Sequence, residues 1–292
     1  MKFTLKGSIP ALVTPFHDDF TVNFDKLGEL IEFHIDNGSV AVLVLGTTGE
    51  SPTISYTEQL EIVKYTVAKV AGRIHVMVGS GSNDTAKSIK TSQEFEKLGA
   101  DSLLLITPYY NRTNNSGMIK HFETIADSVN TPVILYTVPS RTGCNISPSV
   151  VKHLARHPNI VGIKDATGDF SYSMKISRYL SDEFVLYSGN DDTIIPLLSI
   201  GASGVISVWA NYQPKTVSQL VKTYEEGCHT EALTVQQKNL DFINALFIET
   251  SPIPLRYVMN KTGFDVGPAR LPLDELSDGG KATIDALLEA GV

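Results

Sequence analysis

The chain alternates between two patterns. Short, almost wholly apolar runs end in Gly, Thr, Pro or Ser, and each gives way to a longer stretch with apolar residues at helical intervals. The runs are IPALVTPF (9–16), VAVLVLG (40–46), IHVMVGS (74–80), SLLLITP (102–108), PVILYTV (132–138), NIVGIK (159–164), FVLYSG (184–189) and GVISV (204–208). They recur every roughly 20–35 residues, the length of a β–α–β unit. Polar residues do not alternate through them, so they read as strands buried on both faces, as in a parallel sheet.

The stretches between read as helices. Residues 25–38 have helical spacing and an Asn-Gly stop. Residues 55–72 open on Ser55 with Glu58 three places on, the spacing of a capping box, and close on Gly72. Residues 83–100 also close at a glycine, and Asn83 or Asp84 reads as their cap. Eight β–α units predict an α/β fold, a TIM (β/α)8 barrel. The boundaries read as 1–225 for the barrel and 226–292 for a C-terminal helical extension, broken by SPIPL (251–255) and GPARLPL (267–273). Nothing marks a linker or a second folded domain.

Composition narrows the function. The 292 residues are 42% hydrophobic and 19% charged, with a net charge of −8, and no run of basic residues offers nucleic acid a footing. The two cysteines, Cys144 and Cys228, stand in no metal or redox spacing, which fits a reducing compartment. Pro10 and Pro15 interrupt the N-terminal segment, so it reads as the first strand and not as a secretion signal. No stretch has transmembrane length. The expected location is the cytoplasm.

In barrels of this kind the site lies at the C-terminal ends of the strands. Those ends carry GTTGES (46–51), TPYYN (107–111), YTVPSRTG (136–143), Lys164 and SGNDD (188–192). Strict alternation puts Ile160, Gly162 and Lys164 on the inner face and Val161 and Ile163 under the helices, with Gly162 leaving space beside the lysine. A desolvated lysine loses basicity, and only the free amine attacks a carbonyl. At a pKa of about 10.4 only ~0.04% is neutral at pH 7, and each unit of depression raises that tenfold. Position alone leaves open a Schiff-base nucleophile, an anchor for a carboxylate or phosphate, or a partner for Asp165.

Tyr136 ends the neighbouring strand, about 4.8 Å away, where its phenol can carry protons for imine chemistry, with Thr47 and Tyr110 as a hydroxyl chain. Alone it could equally be a core tyrosine with its hydroxyl at the rim. The GTTGES turn can cradle a small carboxylate with backbone N–H groups and Thr48, or be an ordinary turn in which Thr48 or Ser51 caps a helix. Arg141 is either a carboxylate fork at the mouth or half of a surface ion pair. His153 and His157, spaced i, i+4, read as helix-end residues and not as a metal pair, and Asp191 and Asp192 as helix caps. The reading calls for no metal and no cofactor.

Taken together, GTTGES, TPYYN, YTVPSRTG, GIKDATG and GVISV resemble the dihydrodipicolinate synthases, within the N-acetylneuraminate lyase superfamily of pyruvate-dependent class I aldolases, from about residue 5 to 270. The resemblance implies that Lys164 forms an imine with pyruvate and that Tyr136, Thr47 and Tyr110 relay protons. It implies that Thr48 and neighbouring backbone hold the pyruvate carboxylate and that Arg141 receives the carboxylate of L-aspartate-4-semialdehyde. Gly189 and Ile206 would give backbone contacts around the lysine. Tyr110 would reach into a neighbouring subunit's site, so that activity needs a homodimer, and most relatives are dimers of dimers.

Thr137 stands beside the site where asparagine is usual, and Ser251 replaces an asparagine common before PIP. In lysine-inhibited relatives an interface pocket uses Asn, Tyr, Glu and His. Asn83 and Tyr109 match it here, but Lys87 stands at the Glu position, and Tyr56 and Gln59 at the His positions. The expectation is weak or absent feedback by lysine. The rival readings are a pyruvate-dependent lyase acting on a sugar acid, which Arg141 disfavours, and a silent barrel that binds a small carboxylate.

Overall fold

The computed structural model describes residues 5–291. Its centre is an eight-stranded parallel sheet: β1 (Gly7–Pro10), β2 (Ala41–Val44), β3 (His75–Gly79), β4 (Ser102–Ile106), β5 (Val133–Thr137), β6 (Ile160–Asp165), β7 (Val185–Ser188) and β8 (Gly204–Ser207). Each strand pairs with its sequence neighbour from β2 to β8, and β8 pairs with β1. Between β1 and β2 the barrel nearly closes. Val40 N–H donates to the Ser8 carbonyl at 3.0 Å and Leu12 N–H to the Leu43 carbonyl at 2.8 Å.

The first apolar run is displaced from its strand. β1 ends at Pro10, whose ring removes a ladder donor; beyond it Ala11 makes only an isolated bridge to Leu43, and the rest of the run is not strand. The remaining seven runs coincide with strands. Their sides split into two cores. Ala41, Leu43, Leu104, Ile134, Tyr187 and Ile206 fill the inside, while Val42, Val44, Leu103, Leu105, Leu135 and Val205 pack under the helices. Both faces are buried, which explains why the runs lack a polar period.

Strand β6 breaks the expected alternation. Its register to β5 slips, with Val133 opposite Ile160 but Ile134 opposite Gly162. The extra residue, Val161, turns into the barrel while Ile160 packs outward, the reverse of the sequence expectation. Nor does Gly162 leave room beside the lysine. A Cβ there would meet the Val185 carbonyl oxygen at 2.7 Å, so the glycine serves the close approach of β7.

The helices α1 (Phe24–Asp36), α2 (Tyr56–Val70), α3 (Thr85–Lys97) and α4 (Asn115–Asp127) cover the first strands. Ser55 and Glu58 form the expected capping box on α2, and Asp84 caps α3 through the N–H groups of Ala86 and Lys87. Each cap contributes about 1 kcal/mol. Neither Thr48 nor Ser51 caps a helix. Past β8 the helix Pro214–Glu225 is followed by His229–Lys238, Leu240–Ala245, Ile253–Lys261 and Asp278–Glu289. SPIPL is less a break than a beginning: Pro254 sits in the first turn of Ile253–Lys261, where no N–H is needed.

Candidate active site

The strand ends converge as their parallel directions require. Tyr136 and Lys164 are paired in register across β5 and β6. The Lys164 Nζ lies 4.5 Å from the centre of the Tyr136 ring. Lys164 is only 5% exposed. Burial lowers its ammonium to about 7, with Asp191 opposing the shift and Arg141 adding to it. A far larger share of the amine is therefore neutral at pH 7 than for an exposed lysine. Burial pushes the Tyr136 phenol up, against a hydrogen bond with Thr47 and the charge of Arg141. The phenol stays protonated at neutral pH, and Thr47, which the sequence offered as its partner, lines the same cavity.

A cavity of about 410 Å³ opens beside this pair, with Thr47, Tyr136 and Arg141 in its wall. Thr48 is buried in the turn after β2. Arg141 comes from the short helix Pro139–Thr142, and its Nη2 donates to the Ser251 carbonyl at 2.7 Å. Gly189 sits where β7 leaves the barrel. Its N–H donates to the Asp165 carbonyl at 2.7 Å, and a Cβ would meet Ala166 Cβ at the same distance. Ile206 is a fully buried inner residue of β8. A larger concavity of about 1010 Å³, between the loop after β1 and the C-terminal segment, holds none of these strand-end residues.

Tyr110 is not with them. It follows β4 in left-handed backbone, φ 69°, and is 94% exposed, outside the lining of its own chain's cavity, whereas Tyr109 is part of that lining. Thr137 also departs from expectation. It is buried on the side of β5 away from Tyr136, and its Oγ1 donates to Asn145 Oδ1 at 2.7 Å, so it braces the Arg141 loop instead of flanking the cavity.

Other candidates resolve into structural roles. Asp191 does not cap the helix that follows it. Its Oδ2 accepts from the N–H groups of Val208 and Trp209, at 3.0 and 2.9 Å, and so caps the turn after β8. His153 and His157 each reach a carboxylate of α4, Glu123 at 2.7 Å and Asp127 at 3.0 Å. Among the described residues no group of three or more His, Cys, Asp or Glu is placed to hold a metal ion. A lysine of lowered basicity against a protonated phenol, where that phenol and a guanidinium line a cavity, can form an imine with a keto acid and move the protons that step requires.

A model of the dihydrodipicolinate synthetase family matches residues 4–291. The chain belongs to that family. The resemblance drawn from the motifs is therefore borne out across the whole fold. Among its relatives in the family, the 4-hydroxy-tetrahydrodipicolinate synthase of Clostridium tetani is 50% identical over 274 residues, 94% of this chain and 93% of that protein. The enzyme of the same name from Thermoanaerobacter sp. (strain X514) is 48% identical over 274 residues, 94% of this chain and 92% of the relative. A crystal structure of the chloride-inhibited dihydrodipicolinate synthase of Acinetobacter baumannii, complexed with pyruvate, superposes with a TM-score of 0.95 at 37% identity and covers 98% of both chains. The match to family members thus takes in the C-terminal helices as well as the barrel.

Proposed function

We propose that the chain catalyses a class I aldol condensation of pyruvate with L-aspartate-4-semialdehyde to give 4-hydroxy-tetrahydrodipicolinate. The observation that carries this reading is the buried Lys164 amine, its basicity lowered by that burial, set in register against Tyr136. The amine adds to the keto carbon of pyruvate, and the carbinolamine loses water to give the imine. Loss of a proton from the methyl carbon leaves an enamine, which attacks the aldehyde. The substrate's own amine then attacks the imine carbon, closing the ring and freeing Lys164. Tyr136 and Thr47 carry protons through these steps, Thr48 and its turn hold the pyruvate carboxylate, and Gly189 and Ile206 supply backbone beside the lysine. Arg141 receives the carboxylate of the second substrate. Product analysis with L-aspartate-4-semialdehyde and, separately, with a sugar aldehyde tests the substrate. Turnover of the sugar alone would overturn it.

Tyr110 completes the relay from a second copy of the chain. Its exposure and its place one residue beyond the cavity wall support that reading, and the working unit is a homodimer, paired into a dimer of dimers. The reaction takes place in the cytoplasm, where two free thiols, Cys144 and Cys228, stay reduced. Feedback by L-lysine is weak or absent. Lys87, Tyr56 and Gln59 share one cavity wall, and the Lys90 ammonium stands 5.0 Å from the Tyr56 ring, so a cationic ligand meets like charge. Inhibition at sub-millimolar lysine would contradict this.

A further inference from the structure

The residues Gly46, Thr47, Thr48 and Gly49 are bracketed by two non-glycine residues in left-handed backbone, Leu45 at φ 56° and Glu50 at φ 57°. Such backbone persists only where its surroundings hold it. Here the Glu50 carboxylate is the hold. Its side chain is wholly buried, and Oε1 accepts from the Nε of Arg256 at 2.5 Å. Oε2 accepts from the backbone N–H of Arg270 at 3.0 Å. Arg256 lies in the C-terminal extension, 206 residues along the chain, and its other donors reach the carbonyls of Thr14, at 2.5 Å, and Val266, at 2.9 Å. The Thr14 hydroxyl donates to the Gly49 carbonyl at 2.7 Å. The turn is thus gripped from both sides, with Thr47 and Thr48 between the grips.

We propose that Glu50 and Arg256 are positioning residues for the reaction. Through this buried ion pair the C-terminal extension sets where the Thr47 hydroxyl and the Thr48 turn stand. The proposal rests on the roles given to Thr47 and Thr48 above. Desolvation cancels most of the attraction between two buried charges, so what such a pair chiefly supplies is a fixed geometry. The pair acts on one half of the site. Arg141 is anchored by a bond of its own, to the Ser251 carbonyl of the same extension, which the Glu50 carboxylate does not touch, so loosening the Glu50 grip disturbs the pyruvate end and spares the aldehyde end.

Steady-state kinetics of Glu50→Gln, Arg256→Lys and Thr14→Val test this, with activity referred to folded protein by circular dichroism and thermal melting. Glu50→Gln removes the charge at constant shape, and Thr14→Val removes only the hydroxyl on Gly49. The expected result for Glu50→Gln is a KM for pyruvate raised, and a kcat lowered, by about ten- to a hundredfold each. The KM for the aldehyde should stay within about twofold, because its carboxylate fork is untouched. Thr14→Val should move both parameters the same way by less, with Arg256→Lys between them. Folded variants with a lowered Tm but unaltered kinetics would overturn the proposal, as would equal rises in both KM values. If Glu50→Gln does not fold, Arg256→Lys and Thr14→Val decide the matter. Failure of the unaltered protein to form a borohydride-trapped adduct with pyruvate would instead overturn the underlying reading.

Discussion

Tyr136 and Lys164 face each other across adjacent strands, with the amine 4.5 Å from the phenol ring and both side chains shut off from solvent. The same burial acts on the two groups in opposite ways. It lowers the lysine to about 7 and raises the tyrosine, so that free amine and protonated phenol coexist at one pH.

The lysine's ionisation sets the acid limb of the rate profile. Protonation of Lys164 removes the nucleophile, so the rate of imine formation with pyruvate should fall about tenfold per unit below pH 7 and level off above it. Arg141 adds to the lowering of Lys164, so Arg141→Met should move the midpoint to higher pH as well as weaken the second substrate. Stopped-flow or borohydride-quench rates against pH check both. A midpoint unmoved by the substitution would separate Arg141 from the lysine.

Removal of the Tyr136 hydroxyl leaves the ring and its packing in place. Tyr136→Phe should keep the melting temperature near that of the parent and lower kcat by about 10²–10⁴-fold, the usual contribution of a positioned proton carrier. An unchanged kcat would remove Tyr136 from the relay.

Gly162 makes the β6 bulge fit against β7. Gly162→Ala places a methyl 2.7 Å from the Val185 carbonyl, and the overpacking should cost about 1–3 kcal/mol, read as a melting temperature lower by a few degrees. Because Lys164 shares the strand, the imine-forming rate should fall as well.

Much of this was legible along the chain, and the exceptions share a cause. Seven of the apolar runs are strands, and Ser55 with Glu58 marked a helix start, because burial on two faces and a local capping box both leave local signatures. Lys164, Tyr136, Thr47 and Arg141 could be placed together because parallel strands bring their ends to one mouth. The bulge at Val161 has no such signature, since valine packs well on either face of the strand. Asp191 caps a turn of another strand, and Glu50 pairs with Arg256 across most of the chain; the sequence shows those carboxylates but not their partners. Tyr110 stands exposed on its own chain, away from the cavity, and one chain's pattern holds no information about what an exposed side chain meets.

His34 should make the protein sensitive to acid. It is fully buried on α1, and burial lowers its imidazole to about 3, against about 6.5 when exposed. The unfolded chain therefore binds the extra proton first. The stability tied to neutral His34 is complete above pH 6.5 and declines by about 1.4 kcal/mol per unit as pH falls from there toward 3. Urea midpoints of the parent and of His34→Gln between pH 7 and 4 should converge in acid. Parallel curves would show that His34 does not titrate in this way.

The central claim is that Lys164 forms the covalent bond to substrate. Incubation with pyruvate, reduction with borohydride and peptide mass spectrometry test it directly. The account predicts one reduced pyruvyl adduct, on Lys164, that is absent from Lys164→Ala together with the activity. An adduct on another lysine, or turnover by Lys164→Ala at the parent rate, would contradict it.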